Sequence, residues 1–503
     1  MSVIHRVTVN TAALLEFADD LKSQFQGRPE LILAEDTRER SGGFTVRYIF
    51  EVPEQDAFII ASMPLEAGQD TFPSLGTRWY LASLFEREIH DLFGLRASNG
   101  PDMRRLPLHQ FWPEGYYPLR KDAALPSTIQ DNGEAFPFQQ VRGEGVHQVT
   151  VGPVHAGIIE PGHFRFSVDG ETVVNLESRL FFLHKGIEKL FESMNFSQGV
   201  ALAERISGDS SIAHGLAFSM AIERCAGIEV PKRAAYLRVV LQELERLHNH
   251  IADVGAICTD TGFAIANAHA LRLREDVLRL NEHLSGHRLL RGTIVPGGVT
   301  MNISPESRFE AMTKLRSIEK DFNEVVAMAL SSSLVLDRLQ STGILTNAMA
   351  RDLQVSGIAG RASGIDADIR RDHPYAAYSD LSFYVPVFEE GDVWARMMVR
   401  VEEVRESVRL IVRALEVLPE GDIVTPIASI PAGASAFGLV EGWRGPVWHW
   451  VVAGESGSFD RVKVKDPSFS NWPALNYAIL NNIVPDFPLC NKSFNLSYAG
   501  NDL

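Results

Sequence analysis

Hydrophobic residues follow two different rhythms along this chain, and the change falls between residues 120 and 148. Before it, apolar residues alternate or run together as they do in β-strands. The strand-like segments are VIHRVTV (3–9), LILAED (31–36), GGFTVRYIFEV (42–52) and AFIIASMPL (57–65). Amphipathic helices are predicted over 11–25 and 74–92. Residues 1–120 therefore predict a small α+β domain.

After residue 148 a helical period dominates. Short strands are predicted at the start of this part, in HQVTVGPVHAGIIEPGHFRFSVDGETVVNLESRL (147–180), and at its end, in PVWHWVVAG (446–454) and DRVKVKD (460–466). The predicted helices lie between them, over 176–196, 211–225, 232–257, 262–286, 306–337, 346–355 and 389–416. The helix over 232–257 has apolar residues at helical spacing, which predicts one buried face. We therefore expect a multidomain protein, in which a mainly α-helical domain with small β elements (148–503) follows the α+β domain.

The segment 121–147 shows neither rhythm. It is punctuated by residues that interrupt regular structure, namely Pro126, Gly133, Pro137, Gly143 and Gly145. We expect it to be a linker between the two domains.

The end of the chain carries a further pattern. Phe487, Leu489, Phe494 and Leu496 follow one another at roughly strand spacing. Because these side chains would otherwise be exposed, we expect the tail to pack inward.

Composition narrows the classes of function. The 48 Lys and Arg residues against 64 Asp and Glu residues give a formal net charge of −16 over 503 residues. This charge argues against nucleic-acid binding and against a basic patch for anionic lipids. Three cysteines exclude a disulfide scaffold and any iron–sulfur cluster held by four thiolates of this chain. No apolar run is long enough to cross a bilayer, so we expect membrane contact only through partner subunits.

The common catalytic signatures are missing from the sequence. It contains no GxxxxGK(S/T) phosphate loop, no GxSxG elbow and no CxxC pair. It also lacks a strand–GxGxxG–helix unit, so we expect no Rossmann-type NAD site in this chain.

One group of motifs lies in the first domain. The segments are EREIHDLFG (86–94), PDMRRL (101–106) and PLRKD (118–122). Together they resemble the signature of the C subunit of respiratory complex I. The same domain forms the N-terminal half of the large subunits of formate-hydrogenlyase-type NiFe hydrogenases.

A second group of motifs runs through the rest of the chain. It begins with GPVH (152–155), EPGHFR (160–165) and LHKGIEKL (183–190) and continues with LERL (244–247), RASG (361–364), EGWRG (441–445) and KDPSF (465–469). These motifs resemble the D subunit of complex I and its relative, the large subunit of NiFe hydrogenases. The order of the two halves in one chain favours the energy-converting, formate-hydrogenlyase-type branch, in which the large subunit is equivalent to a fused C/D subunit.

The chain departs from that family at the metal ligands. The resemblance implies two CxxC pairs that hold nickel and iron through soft thiolates. Here the early pair is replaced by Ser207 and Ser210, and the late pair by Ser497 and Gly500. We therefore expect no metal in this chain and no H2-activating centre. The three cysteines, Cys225, Cys258 and Cys490, follow no ligand spacing and are interpreted as small buried hydrophobic residues.

The resemblance also implies a pocket. In complex I it lies between the D subunit and its iron–sulfur neighbour and receives the quinone headgroup, with a histidine on the first hairpin loop and a tyrosine after the following helix. Here the loop HAGIIEPGH offers His155, Glu160 and His163, but segment 191–206 has no tyrosine, which argues against ordinary quinone reduction. Glu160 matches the glutamate that passes protons in hydrogenases, and a partly buried carboxylate can do so near neutrality. The alternative is a cap for nearby backbone N–H groups.

Further candidates for the pocket or proton relay are Glu188 and Arg205. Family resemblance places the helix of Glu188 beside the pocket; the alternative is a charge pair on a solvated face. His248 and His250 lie two residues apart and point to different faces of a helix, so we interpret them as structural rather than metal-binding.

The resemblance implies a subunit of the peripheral arm of a membrane-bound, complex-I-like assembly on the cytoplasmic side of the inner membrane. The implied partners are an iron–sulfur small subunit, a ferredoxin-like subunit and integral membrane subunits, including antiporter-like ones. The chain would couple a redox or conformational change at a metal-free pocket to ion translocation. No cofactor is expected on this chain; iron–sulfur clusters belong to partners, and a quinone is the candidate ligand. The alternatives are a quinone-reducing subunit of an NADH-quinone-oxidoreductase-like complex and a non-catalytic scaffold.

Overall fold

The computed structural model describes residues 3–130, 133–157 and 159–503. Its first part is the α+β domain that the alternation predicts. The elements of this domain, in chain order, are β1 (Val3–Thr8), α1 (Leu14–Phe25), β2 (Arg28–Asp36), α2 (Arg38–Ser41), β3 (Phe44–Val52), β4 (Ala57–Pro64), β5 (Thr71–Pro73), α3 (Tyr80–Phe93) and β6 (Arg96–Ser98).

A four-stranded sheet frames this domain, in the order β1-β4-β3-β2. Strand β1 runs parallel to β4, and the other neighbours are antiparallel. Helix α1 buries Leu14, Ala18 and Leu21, which share one face at helical spacing, and this amphipathic pattern is the one that the sequence shows. Helix α3, which carries EREIHDLFG, packs against β2 and is buried along nearly its whole length.

The second part is mainly helical with small sheets, as expected from its sequence. None of the helices in the described residues combines the length and hydropathy that crossing a bilayer requires. The elements are β7 (Val146–Val151), β8 (His163–Asp169), β9 (Thr172–Arg179), α4 (Ile187–Phe191), α5 (Phe196–Ala203), α6 (Ser211–Ala226), α7 (Lys232–Asp260), α8 (Ala264–Ser285), β10 (Ile294–Val295), β11 (Gly298–Val299), α9 (Pro305–Leu330), α10 (Ser333–Leu339), α11 (Asn347–Asp352), α12 (Gly357–Arg361), α13 (Ile369–Asp372), α14 (Val393–Glu416), β12 (Ser435–Gly442), β13 (Gly445–Ala453), β14 (Phe459–Lys465), α15 (Pro467–Ala478), α16 (Phe487–Phe494) and α17 (Tyr498–Asp502).

Helix α7 forms the centre of the helical domain, where it packs against α8 and α14. The prediction of a single buried face is wrong, because the charged residues on its other faces are buried as well. They are tolerated because neighbouring elements supply partners: Glu243 forms an ion pair with Arg370 at 3.0 Å, and His250 Nε2 donates a hydrogen bond to Glu403 at 2.8 Å. His248 donates from Nδ1 to the carbonyl of its own helix at residue 244, 3.0 Å away.

Three local predictions differ from the structure. The helix expected over 176–196 is wrong: β9 continues to Arg179, because its alternating residues pair with β8, and α4 begins only at Ile187. The helix expected over 306–337 is divided at 331–332 into α9 and α10. The tail packs inward as expected, but most of it is helix α16 rather than a strand.

The two domains share one hydrophobic core. Phe58 of β4 contacts Trp448 of β13, with ring centroids 5.5 Å apart, and Phe85 of α3 contacts Phe469 of α15 at 5.0 Å. Aromatic side chains of the two domains therefore pack against each other as in the interior of a single domain.

The predicted linker contains no helix or strand in its described residues between 121 and 145; residues 131 and 132 lie outside them. It lies against the second domain at Phe136, whose ring is 4.6 Å from the guanidinium of Arg179. The boundaries at 120 and 148 stay a prediction.

Candidate functional site

The four positions that the family resemblance equates with metal ligands lie close together in the fold. Ser207 and Ser210 lie in the turn between α5 and α6, and Ser497 precedes α17 as its N-cap. The hydroxyls of Ser207 and Ser497 are 2.8 Å apart, although the residues are 290 positions apart in sequence. Ser497 Oγ also accepts the backbone N–H of Gly500 at 2.8 Å. These hydroxyls are already engaged with each other and with the backbone.

An ion pair closes one side of this site. Asp209, between the two early serines, accepts two parallel hydrogen bonds of 2.8 Å from Arg444. Its Oδ1 also accepts the hydroxyls of Ser207 and Ser210, at 2.9 and 3.2 Å. Although burial alone would raise it, the pKa of Asp209 is lowered well below its ordinary value, because Arg444 and the two hydroxyls stabilise the carboxylate.

A second carboxylate fills the other side. Asp466 is buried and accepts from His214 Nε2 at 3.1 Å, and His214 Nδ1 is 3.0 Å from His449 Nε2. Burial alone would raise the pKa of Asp466, but the hydrogen bond from His214 lowers it. A Cβ built on Gly500 would lie 2.6 Å from Cγ and Oδ2 of Asp466. The carboxylate therefore occupies the space that any side chain at position 500 would need.

These residues do not fit a nickel–iron centre. Such a centre needs four soft thiolates, two of them bridging. Here three of the positions offer neutral hydroxyls, and the fourth has no side chain and no room for one. Within the described residues, no group of three or more His, Cys, Asp or Glu residues could hold a metal ion.

A buried glutamate of α7, Glu245, contacts the start of α6, directly after Ser210 in the chain. Glu245 of α7 accepts the backbone N–H groups of Ile212 and Ala213, at 2.6 and 3.1 Å, in the first turn of α6. Burial raises its pKa to about 8. Glu245 is thus one of the groups near the site whose pKa lies close to neutrality; burial also raises the pKa of Asp502, in α17, to about 6.

The hairpin loop between β7 and β8 contributes Glu160 to the same region. Its Oε2 accepts the backbone N–H of Ala499 in α17, 3.1 Å away. Glu160 thus caps a backbone group, as in the alternative drawn from the sequence, and does so in the helix that carries position 500. Lys185 approaches from another side and donates from Nζ to the carbonyl of Ile206 at 2.9 Å.

The two histidines of this loop hold the loop itself. His155 Nε2 donates to the carbonyl of Gly162 at 2.7 Å, and His163 Nδ1 donates to that of Gly152 at 3.3 Å. No hydrogen bond joins either imidazole to the serine positions in the part of the chain that the structure describes. Their roles in a pocket stay a prediction.

Glu188 lies in a buried charge cluster rather than on a solvated face. Its carboxylate accepts from Arg461 at 2.7 Å and from Lys463 at 3.0 Å, and Lys463 also bonds to Glu88 of α3 at 2.7 Å. Burial alone would raise the pKa of Glu188, but the two cations lower it to about 2. The solvated-face alternative for Glu188 is therefore wrong: the cluster joins the two domains.

Arg205 points away from these groups. It is exposed, and its guanidinium donates to the carbonyl of Ala201, one turn earlier. The thiols of Cys258 and Cys490 are buried and that of Cys225 is partly buried, in keeping with their interpretation as small hydrophobic residues.

Both halves of the chain match known families. Residues 7–128 match the family described as "Respiratory-chain NADH dehydrogenase, 30 Kd subunit", and residues 260–431 match "Respiratory-chain NADH dehydrogenase, 49 Kd subunit". Hydrogenase-4 component G of Escherichia coli K12 is 34% identical over 99% of this chain and 87% of its own length. This chain belongs to the family of fused 30-kDa/49-kDa subunits of complex I and related hydrogenases.

Other members of the family match over long stretches. Formate hydrogenlyase subunit 5 of E. coli K12 is 32% identical over 99% of this chain and 88% of its own length. The fused C/D subunit of the NADH-quinone oxidoreductase of Phocaeicola vulgatus is 31% identical over 80% of each chain. A chain of the membrane-bound sulfane sulfur reductase, an archaeal respiratory membrane complex, superposes with a TM-score of 0.67 at 26% identity, covering 72% of this chain and 99% of that one.

Sequence reasoning located the serine positions but missed the groups that fill the site. Asp209, Arg444 and Asp466 all lie inside the segments that resemble the family. Arg444 and Asp209 are 235 residues apart, so no local spacing could reveal their pairing. The one feature of the sequence that pointed to this pairing was Asp209, an acidic residue between the two serines at the positions where the family resemblance implies the early ligand pair.

Proposed function

We propose that this chain is a peripheral-arm subunit of a membrane-bound, complex-I-like oxidoreductase assembly. In it, a redox or conformational change at the metal-free site is coupled to ion translocation in membrane subunits. The observation that carries the proposal is that hydrogen-bonded side chains occupy the site where the family resemblance implies a metal centre. The Asp209–Arg444 pair, the Ser207–Ser497 contact and Asp466 replace a metal centre with paired charges and hydroxyls.

Paired charges suit a coupling role because they have two discrete arrangements, paired and separated. Movement of a neighbouring subunit that separates Arg444 from Asp209 would leave a carboxylate and a guanidinium unpaired at the same site. Such a switch changes local charge without any bound cofactor, which is how packed networks transmit a signal.

The partners follow from the family. We propose that an iron–sulfur small subunit and a ferredoxin-like subunit bind this chain, and that antiporter-like integral membrane subunits lie beyond them. The relatives named above support a membrane-bound assembly, and the chain would associate with it peripherally, on the cytoplasmic side of the inner membrane. Iron–sulfur clusters would then belong to the partners.

Quinone binding would need space from another subunit. Among the described residues, two pockets border α17: one of about 30 Å³, lined in part by His184, Glu188 and Asp502, and one of about 110 Å³, lined in part by Trp472 and Asn501. Both are smaller than the roughly 300–1,000 Å³ of small-molecule sites. We therefore place the coupling role ahead of quinone reduction for this chain.

Replacing Asp209 with asparagine tests the proposal. Asp209→Asn keeps the shape but removes the charge that holds Arg444, and we expect ion transport by the purified assembly in vesicles to fall at least tenfold. The matched control is Asp321→Asn, which removes the carboxylate of an exposed pair with Arg272. Transport and assembly should be unchanged in the control.

Two further readings complete the experiment. The Asp209→Asn protein should still co-purify with its partners, because the substitution keeps the size and shape of the side chain. Elemental analysis should find no stoichiometric nickel in the wild-type protein. Unchanged transport in Asp209→Asn, or about one nickel per chain, would contradict the proposal.

A further inference from the structure

The buried row His449, His214 and Asp466 has a hydrogen-bond pattern that fixes its protons. Both imidazoles are fully buried, and Asp466 is 1% exposed. His214 bonds to both neighbours, at 3.0 Å to His449 and at 3.1 Å to Asp466. His449 Nδ1 has no hydrogen-bond partner among the residues that the structure describes.

The unpartnered nitrogen of His449 decides which atom donates in each hydrogen bond of the row. A buried N–H without an acceptor is rarer and costlier than a buried acceptor without a donor. His449 therefore carries its proton on Nε2 and leaves Nδ1 as a lone pair. The Nε2–H of His449 then donates to His214 Nδ1, which must be the acceptor.

The second bond follows from the first. With Nδ1 accepting, a neutral His214 carries its proton on Nε2 and donates it to Oδ2 of Asp466. A further proton on the row would have to appear on the unpartnered Nδ1 of His449, or on a carboxylate that already accepts from His214 and from the N–H of Ser468. Every alternative leaves a buried donor unpaired or two donors facing each other.

The surrounding charges favour the same state. Arg444 lies close enough to Asp466 to help keep it ionised, and burial lowers the pKa of His449 well below its ordinary value. From the neighbouring elements, Asp209 is paired with Arg444, and Glu245 faces the first turn of α6.

We propose that His449 and His214 are positioning residues that form a directional donor chain and hold Asp466 as a fixed carboxylate in the space next to Gly500. The site then has one anion that neither moves nor takes up a proton. Changes of charge at the site fall instead to other groups, among them Glu245, Asp502 and the Asp209–Arg444 pair. This assignment deepens the proposed coupling function, on which its transport readout rests.

The direct test is nuclear magnetic resonance of the purified full chain with ¹⁵N-labelled histidine at pH 7. We expect His214 and His449 each to show one protonated nitrogen, Nε2, and one unprotonated nitrogen, Nδ1. Assignment uses the loss of signals in His214→Gln and His449→Gln. A doubly protonated His214, or a proton on Nδ1 of either ring, would overturn the proposal whether or not the chain couples transport.

The functional test compares two variants at one position. In His449→Gln the side-chain amide can still donate to His214, whereas His449→Leu leaves His214 Nδ1 without a donor. Loss of one buried hydrogen bond that orients a charged group corresponds to about a 10- to 100-fold effect. We expect ion transport by the assembly to fall at least tenfold in His449→Leu and to stay within about threefold in His449→Gln.

The outcomes separate the two proposals. Equal loss in both variants, with the assembly still intact, would mean that the donor does not matter and would overturn the positioning role. If the tautomers are as assigned but the wild-type assembly transports no ions, the coupling function fails while the donor chain stands.

Discussion

Replacing Gly500 with alanine would place a methyl group where the carboxylate of Asp466 now lies. The new Cβ would be 2.6 Å from Cγ and Oδ2 of Asp466 and 3.0 Å from Ser497 Oγ. Asp466 is poorly able to retreat, because it also caps α15 through the N–H of Ser468 at 2.8 Å. One of these contacts must be given up.

The size of the effect follows from three contributions. Alanine in a helix is favoured over glycine by about 1 kcal/mol. Against this gain, overpacking costs about 1–3 kcal/mol, and a displaced Asp466 loses an N-cap worth about 0.5–2 kcal/mol. We therefore expect Gly500→Ala to lower the free energy of unfolding by about 0.5–4 kcal/mol.

Urea denaturation and thermal unfolding of the purified chain measure this change. Gly208→Ala is the matched control, because it lies in the same site but its Cβ would meet only Arg291 Nη2, at 3.4 Å. We expect the control to stay within about 0.5 kcal/mol of the wild type.

A double-mutant cycle shows whether Asp466 is the cause. If it is, Gly500→Ala should cost little once Asp466→Ala has removed the carboxylate, which gives an interaction energy of about 1–3 kcal/mol. Gly500→Ala as stable as the wild type, or an additive cycle, would refute the argument that Asp466 fills this position.

Two further predictions concern the ionisable groups around the site. Because burial raises the pKa of Glu245 to about 8, its bound proton stabilises the fold at low pH, and that stability is lost as the pH rises from about 5 to 8. Glu245→Gln has no such proton to lose. Over this pH range, its free energy of unfolding in urea should therefore fall less than that of the wild type, by an amount on the order of 1–3 kcal/mol. Parallel pH profiles of the two proteins would count against the assignment. Glu160→Gln keeps an oxygen that can accept the N–H of Ala499, so assembly should survive, while ion transport should fall at least tenfold if Glu160 relays protons; unchanged transport would leave it as a cap alone.

The sequence predicts regular elements well where one period runs undisturbed. The helices over 211–225 and 389–416 lie within a few residues of α6 and α14, because their apolar positions keep one period. The prediction over 176–196 failed because short strand, turn and short helix follow one another there, and a window of helical length averages them.

Helix α7 shows a different limit. Its Glu243 and His250 look like surface residues in sequence, since an isolated charge is costly to bury. They are buried because distant parts of the chain supply their partners: Arg370 pairs with the carboxylate of Glu243, and Glu403 accepts a hydrogen bond from the imidazole of His250. Burial of a charge depends on its partner, and a single sequence does not say which residues will become partners.

The same limit governs the candidate site. Ser207, Ser210, Ser497 and Gly500 could be found because they stand where the family's ligand pattern is expected. Asp466 could not, because its importance comes from the space that it occupies beside Gly500 and not from its own surroundings in sequence.

The charge cluster between the domains bears on how such a protein is made. Lys463 holds Glu188 of its own domain and Glu88 of the other, and all three side chains are buried. If the halves were separate proteins, each would expose uncompensated charge until it met the other, and an excess of either would be left unpaired. Fusion removes that hazard, since a tethered partner is present at an effective concentration on the order of millimolar and always in equal number. The ribosome thereby sets the stoichiometry that two separate genes would have to balance.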